Sequence, residues 1–423
     1  MIEDYILFPS DKPDWISFQF GAPDPTLLPT QLVKNSINHR LDQENSWWSL
    51  QYGPVLGDVR FRKALASFLS RRYQTPVTYS NLAITNGASQ SFTNILTLFT
   101  TPSTIIFIEN PTYFLAIKML IDYGFPKESF VPIPVDQNGI QVDELETKLK
   151  SFSNSNNNIK QSSHFKKFKF LLYLVPTFSN PTGTILSHER RERIVKLARE
   201  YDVLVVCDDV YELLPFSTIQ NQPDRLLAYE LATIGTGFGN VISNCSFSKL
   251  LAPGIRLGWI ESSDSMINQI KSAAVFYSGG CPNHFMSTAI LSAIENNSLD
   301  LHLNHLLSTY ENRAKVMCNE LTKVLPKGFH FIPPNGGFFV WIYCDIRKGL
   351  TTTTIMDALN DKESIVGLKK ERVSFTPGNA FSSDMTHGNW IRLSFAMYQD
   401  DQIVEGIRRL GIVFQSVTNE ANL

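Results

Sequence analysis

Between residues 82 and 260 one pattern recurs: a short β-branched or apolar run, a polar or glycine-bearing turn, then a longer amphipathic stretch. Strands that alternate with helices in this way form a mostly parallel sheet whose crossover helices cover both faces, an α/β architecture. The pattern predicts strands at 82–85, 104–108, 169–175, 203–207, 241–246 and 255–260. Helical spacing through Arg190, Arg193, Ile194, Leu197 and Ala198 supplies one crossover, after which Val203 re-enters the sheet.

The flanks read differently. Leu32–Leu41 and Asp400–Leu410 have helical spacing, whereas Gly337–Tyr343, Arg372–Phe375 and Trp390–Phe395 read as strands, so a smaller α+β domain is expected from both chain ends. A long apolar-periodic stretch, His284 to Leu325, joins the two parts, with a break expected near Asn296–Asn297. The domains drawn from this are an N-terminal segment with part of the small domain (1–48), a large domain (49–295) and a C-terminal small domain (296–423). Ser151–Lys167, rich in Asn, Ser and Lys, is too polar to bury itself and is expected to be a mobile surface insertion.

Composition narrows the partners. Thirty-eight Lys+Arg against 40 Asp+Glu give a net charge of -2, which provides no field to hold nucleic acid or an anionic membrane. The five cysteines are scattered without a C-x-x-C pair, which points away from disulfides and structural zinc and toward a reducing compartment. Acids at the start do not suit a signal peptide and no apolar run is long enough to span a membrane, so the cytoplasm is the expected location.

The strongest local signal is Ser246-Phe247-Ser248-Lys249-Leu250-Leu251-Ala252-Pro253-Gly254-Ile255-Arg256. A lysine at the end of an apolar strand loses hydration and becomes a nucleophilic amine, as Schiff-base formation requires. Arg256 and the Ser246 hydroxyl suit a phosphate dianion. The same letters contain S-x-x-K, which would make Ser246 a nucleophile, but the K-T-G and S-D-N elements that motif needs do not follow.

Val205-Val206-Cys207-Asp208-Asp209-Val210-Tyr211 is an apolar strand ending in an acid, with a tyrosine three positions on. Pyridoxal phosphate (PLP) withdraws electrons only while its ring nitrogen stays protonated, and a buried carboxylate such as Asp208 stabilises that cation. The Tyr211 hydroxyl is placed to reach the ring's 3-oxygen. Two acids at a strand end can also hold a metal or cap a helix, but no histidine lies nearby.

Asn180, in Ser179-Asn180-Pro181-Thr182-Gly183, can donate to the same oxygen, although N-P alone marks an ordinary turn. Thr85-Asn86-Gly87-Ala88-Ser89-Gln90 joins a strand to a helix expected from about Ser91, and the Ala88 and Ser89 amides with the Ser89 hydroxyl can seat a phosphate. Tyr113, beyond the next strand end, can stack on a pyridine ring. Arg392, inside the apolar strand Trp390–Phe395, needs an anionic partner, either an internal acid or a substrate carboxylate. His302 and His305 read as ordinary packing or surface residues rather than a metal site.

In this order the motifs resemble the class I/II aminotransferases of the aspartate aminotransferase fold, PLP fold type I, over about residues 15–412. C-D-D-V-Y, N-P-T-G and S-K-L-L-A-P-G-I-R-L-G-W look most like the branch that contains 2-aminoadipate, kynurenine and aromatic aminotransferases. The resemblance implies that Lys249 forms the Schiff base and then moves protons, with Asp208 on the ring nitrogen, Asn180 and Tyr211 on the 3-oxygen and Tyr113 on the ring face. Ala88, Ser89, Ser246 and Arg256 would take the phosphate, and Arg392 the substrate carboxylate, with Gly21 beside it. Tyr52 matches a tyrosine lent to the neighbouring subunit's phosphate, which implies a homodimer with shared sites. Ala88 departs from the family, because many relatives have a hydroxyl residue there.

The implied reaction transfers an amino group from an amino acid, aromatic or 2-aminoadipate-like, to a 2-oxo acid such as 2-oxoglutarate. A cysteine-conjugate β-lyase is a rival on the same cofactor. A transcription regulator of this fold would need a DNA-binding module ahead of Gly21, where no room is expected, and a catalytically dead fold is disfavoured by Lys249, Asp208 and Arg392. Trp47, Trp48 and Phe338 are candidate substrate contacts that the sequence does not resolve.

Overall fold

Six consecutive positions, Val203 to Asp208, are all buried, which only a strand flanked on both sides and covered on both faces can achieve. The computed structural model describes residues 14–154, 165–219, 221–235, 237–360 and 371–418. In chain order its strands are β1 (Ile16–Ser17), β2 (Leu82–Thr85), β3 (Ile105–Asn110), β4 (Phe130–Asp136), β5 (Gly139–Ile140), β6 (Phe170–Leu174) and β7 (Val203–Asp208). They continue as β8 (Val241–Ser246), β9 (Gly258–Ser262), β10 (His330–Phe331), β11 (Phe339–Tyr343), β12 (Val373–Ser374), β13 (Thr376–Pro377) and β14 (Trp390–Ser394).

An eight-stranded sheet runs in the order β2-β9-β8-β7-β6-β3-β4-β5. The pairs β4/β3, β3/β6, β6/β7 and β7/β8 are parallel, so the carboxyl ends of these strands share one edge, the position favoured for ligands in such sheets. Two separate clusters of buried apolar side chains accompany this sheet, and the larger continues into the small domain. The small domain carries an antiparallel sheet, β10-β11-β14-β13, and the parallel pair β1/β12 ties the N-terminal segment to the C-terminal part.

Local chemistry explains several boundaries. Asp58 accepts from the Phe61 amide at 3.0 Å and caps the helix Val59–Tyr73, whereas Gly124 in the left-handed region closes Phe114–Tyr123. The expected break in the long apolar stretch lies at Asn297, whose φ of 61° separates His284–Glu295 from Ser298–Val324.

Several expectations need correction. The strand expected at 255–260 is β9, Gly258–Ser262, because Pro253–Ile255 forms a 3-10 turn and Arg256 takes a left-handed φ of 49°. β9 is also antiparallel to both neighbours, and its Gly258 lies so close that a Cβ would meet the Cys245 carbonyl at 2.6 Å and the Gly87 Cα at 2.8 Å. The helix expected from Ser91 begins at Ala88, and β4 and β5 were not anticipated, since two prolines obscure β4. The strand expected over 372–375 is only Val373–Ser374. Of the insertion expected to be mobile, residues 155–164 lie outside the described residues, while the Lys166 amide donates to Gln269 and its ammonium pairs with Asp202 at 2.6 Å.

Candidate active site

The carboxyl edge of the large sheet and the small domain enclose a cavity of about 340 Å³. Lys249, Asp208, Tyr211, Asn180, Ala88, Ser89, Tyr113, Ser246, Arg256, Arg392 and Gly21 all line it. They come from chain positions more than 370 residues apart, and the strand ends bring them together.

Lys249 stands in the turn after β8 and donates from Nζ to the Gly21 carbonyl at 2.6 Å, with the Phe338 ring 5.3 Å away. Burial draws its amine down to about 8, and Arg392 and Arg256 add to this against the opposing Asp208. Asp208 ends β7. Its Oδ2 accepts from the Tyr173 hydroxyl at 2.7 Å, while Oδ1 is buried and has no hydrogen-bond partner. Burial raises the Asp208 carboxyl to about 6, with the Tyr173 hydrogen bond and Lys249 pulling the other way.

Tyr211 follows in the turn after β7, its ring edge-on to Phe338 and Phe339, and burial raises its hydroxyl well above the ordinary value. Asn180 lies in the loop beyond β6. Arg191, fully buried, shapes that loop by donating to the Leu186 and Pro176 carbonyls and the Thr177 hydroxyl at 2.8–2.9 Å. The Asn180 Oδ1 accepts from Arg392 at 2.8 Å, and Arg392 also donates to the Gln19 carbonyl and to Thr376. The guanidinium lies 4.2 Å from the Phe339 ring centre and 4.9 Å from that of Phe381. The aromatic layer continues from Phe381 through Phe114 to Tyr113.

At the other end of the cavity, the Ala88–Phe99 helix starts beside the turn after β8. The Ser246 hydroxyl donates to Ser248 at 2.8 Å, and Arg256 donates to Ser248, the Pro253 carbonyl and the Asn86 carbonyl. The Asn244 amide holds the Ala88 carbonyl at 3.0 Å and fixes the start of that helix against β8. This corner presents helix-start amides, two hydroxyls and one guanidinium, the donor set of a phosphate seat.

Phe339, rather than Phe338, lines the cavity, and Trp47 and Trp48 do not line the cavity of their own chain. Tyr52, expected at a neighbouring subunit's phosphate, is likewise outside its own chain's lining and is 74% exposed. Tyr173, Asn244 and Ser248 went unnoticed in the sequence: the first two sit inside strands and look like packing positions, while Ser248 stands next to Lys249 and could have been read from the paired serines. Among the described residues no group of three His, Cys, Asp or Glu could hold a metal ion.

Comparison with known proteins is consistent with this arrangement. The family model "Aminotransferase class I and II" matches residues 17–410. An aromatic-amino-acid aminotransferase of Thermococcus litoralis is 30% identical over 94% of the chain and 87% of that protein. A 2-aminoadipate transaminase of Thermus thermophilus is 27% identical over 95% of the chain and 90% of that protein. The crystal structure of Pyrococcus horikoshii kynurenine aminotransferase, in complex with PMP, superposes with a TM-score of 0.80 at 29% identity, covering 96% of the chain and 92% of that structure.

Proposed function

The chain belongs to the class I and II aminotransferases, PLP-dependent enzymes of fold type I, and from that premise we propose that it transfers the amino group of aromatic L-amino acids to a 2-oxo acid such as 2-oxoglutarate. The single observation that carries the site assignment is the pairing, across one cavity, of the Lys249 amine with the unpartnered Oδ1 of Asp208. Bound there, PLP supplies a carbonyl carbon for the amino group and a pyridinium ring that withdraws electrons.

The residues present fit that cofactor. Asp208 Oδ1 is a buried acceptor in need of a donor, as a protonated ring nitrogen provides. Ser246, Ser248, Arg256 and the Ala88 and Ser89 amides would hold the phosphate, and Tyr113 would lie on the ring face. Tyr211 and Asn180 would donate to the 3-oxygen. With the Asn180 oxygen engaged by Arg392, its other polar end is the Nδ2 donor such a bond requires. Lys249, brought down to about 8, holds and moves the proton at the substrate Cα. Arg392 offers a fork for the substrate carboxylate, next to Gly21.

Donor choice is argued from the lining. Phe20, Leu28, Phe114, Leu115, Met119 and Phe339 make it apolar, and among the described lining residues the cations are Lys249, Arg256 and Arg392, which are already assigned. An aromatic side chain fits this apolar lining. A panel of amino donors with 2-oxoglutarate, followed by loss of the visible absorbance of the bound cofactor, tests this: faster turnover of 2-aminoadipate than of phenylalanine would refute it. Replacement of Lys249 by Ala should abolish both the visible band and turnover, and borohydride should trap PLP on Lys249 and on no other lysine. Pyruvate and ammonia released from a cysteine conjugate without a 2-oxo acid would instead favour the β-lyase.

The assembly we propose is a homodimer with shared sites. Trp47, Leu50, Tyr52, Val275 and Tyr277 are each more than half exposed. The Trp48 carbonyl meets His284, and a Cβ on Gly280 would strike the Gly53 carbonyl at 2.0 Å, so the two segments bearing these side chains are neighbours. A second copy would cover this apolar face and receive Tyr52 at its phosphate seat. Sedimentation of a monomer at micromolar concentration would refute it. No helix among the described residues is long and apolar enough to cross a membrane, and the cysteines are free, which supports a cytoplasmic location that cell fractionation can test.

A further inference from the structure

Asp208 has two oxygens in different circumstances. Oδ2 accepts a 2.7 Å hydrogen bond from Tyr173, while Oδ1 is buried without a partner. Tyr173 lies in β6, opposite Val206 of β7 in the parallel register, so the two strands fix the distance between its hydroxyl and the carboxylate. The tyrosine is 1% exposed and its ring packs on Phe92, with centroids 5.1 Å apart, which restrains rotation of the side chain.

We infer that Tyr173 is a positioning residue for the cofactor: its hydroxyl occupies one oxygen of Asp208 and thereby commits the other to the pyridine nitrogen. A carboxylate free to turn about its last bond presents either oxygen and loses orientational entropy when a ring nitrogen is captured. Held from behind by a donor, it is pre-organised, and its negative charge is stabilised by a hydrogen bond that water does not replace in a buried site. The inference rests on the reading of Asp208 given above.

The groups that face this carboxylate are Tyr173 from β6, Lys249 from the turn after β8, the adjacent Asp209, and Tyr211 from the turn after β7. Tyr173 in turn feels Glu109 in β3 and Tyr113 beyond it. Of these, Tyr173 and Lys249 favour the charged form of Asp208. Loss of the hydroxyl therefore moves protonation of Asp208 to higher pH, toward the range in which the cofactor must be held.

The test is PLP release from the holoenzyme between pH 5 and 8.5, read by equilibrium dialysis and visible absorbance, for wild type, Tyr173→Phe, Asp208→Asn and the double variant. Tyr173→Phe keeps the ring on Phe92, and thermal melting of each apoprotein checks folding. Tyr173→Phe should weaken PLP roughly tenfold at neutral pH and raise the acid limb of binding by about one pH unit. In the Asp208→Asn background the same change should have no further effect on either. Strictly additive losses, or a Tyr173→Phe profile within twofold of wild type while Asp208→Asn is impaired, would overturn this inference alone. A silent Asp208→Asn would overturn the reading of Asp208 and this inference with it.

Discussion

Arg392 and Asn180, 212 positions apart, share a hydrogen bond of 2.8 Å that joins the small-domain sheet to the loop behind β6. The contact couples the proposed carboxylate fork to the proposed 3-oxygen donor, so each half of the site orients the other. The Arg392 guanidinium also lies within 4.9 Å of the ring centres of both Phe339 and Phe381, contacts that suit a delocalised guanidinium better than a compact ammonium.

Substitution of Arg392 by Lys should therefore lower kcat/KM for an aromatic donor roughly 100-fold, mostly through KM, since a two-pronged contact is reduced to a point charge. PLP content should stay near one per chain. Steady-state kinetics over a donor series checks this, and an unchanged KM would remove Arg392 from carboxylate recognition.

Burial sets the pH dependence of cofactor capture. An ordinary lysine is almost wholly protonated at pH 8, but the Lys249 amine, brought down to about 8, is half neutral there. Only the neutral amine attacks a carbonyl, so the rate of PLP capture by the apoprotein should climb with pH and level off above about 8. Asp208, raised to about 6, adds a loss on the acid side, because its protonated form no longer stabilises the ring cation. Stopped-flow absorbance from pH 5 to 10 measures both limbs. A rate still climbing tenfold per pH unit at pH 9.5 would contradict the depressed amine.

Much of this site was legible because its chemistry sits where strands end. Asp208 closes the continuous apolar run Val203–Cys207, which marks a central strand whatever surrounds it, and Lys249 comes shortly after the fully buried strand Val241–Ser246. The contacts of Tyr173 with Asp208 and of Arg191 with the Asn180 loop depend on which strand lies beside which, an order that no local spacing encodes. β9 was displaced for a related reason: Leu257 continues the apolar pattern, but Arg256 in the left-handed region breaks the strand before Gly258. Tyr52 could be placed only by resemblance, since it does not line the cavity of its own chain.

Gly87 is a test of the phosphate corner. Its φ is +87°, and a Cβ there would stand 2.7 Å from Arg256 Nη2. Gly87→Ala should strain the backbone by ~1 kcal/mol and push the guanidinium out of the corner, weakening PLP about tenfold. Turnover at saturating PLP should stay within a few-fold of wild type, because no proton-handling group moves. Fluorescence titration of the apoprotein with PLP gives the dissociation constant, and an unaltered value would take Arg256 away from the phosphate.

The buried pair Arg225–Glu261 lies in the large domain away from the cavity and is the site of a stability prediction. Arg225 and Glu261 are 1% and 0% exposed, and the guanidinium donates twice, at 2.6 and 2.8 Å. It also donates to the Thr75 hydroxyl and the Pro76 carbonyl, and it lies 4.9 Å from the Tyr73 ring centre. Glu261 belongs to β9, one strand in from the edge of the sheet, so the pair ties that strand to the chain that follows the Val59–Tyr73 helix. Glu261→Leu alone leaves a buried cation without its counter-ion and should cost about 3–5 kcal/mol. The double change Arg225→Met with Glu261→Leu removes both charges and should recover most of that loss, because desolvation of the two ions offsets much of their mutual attraction. Chemical denaturation of the three proteins decides the matter, and a double variant no more stable than Glu261→Leu alone would show that the Thr75 and Pro76 contacts, rather than charge pairing, are what Arg225 supplies.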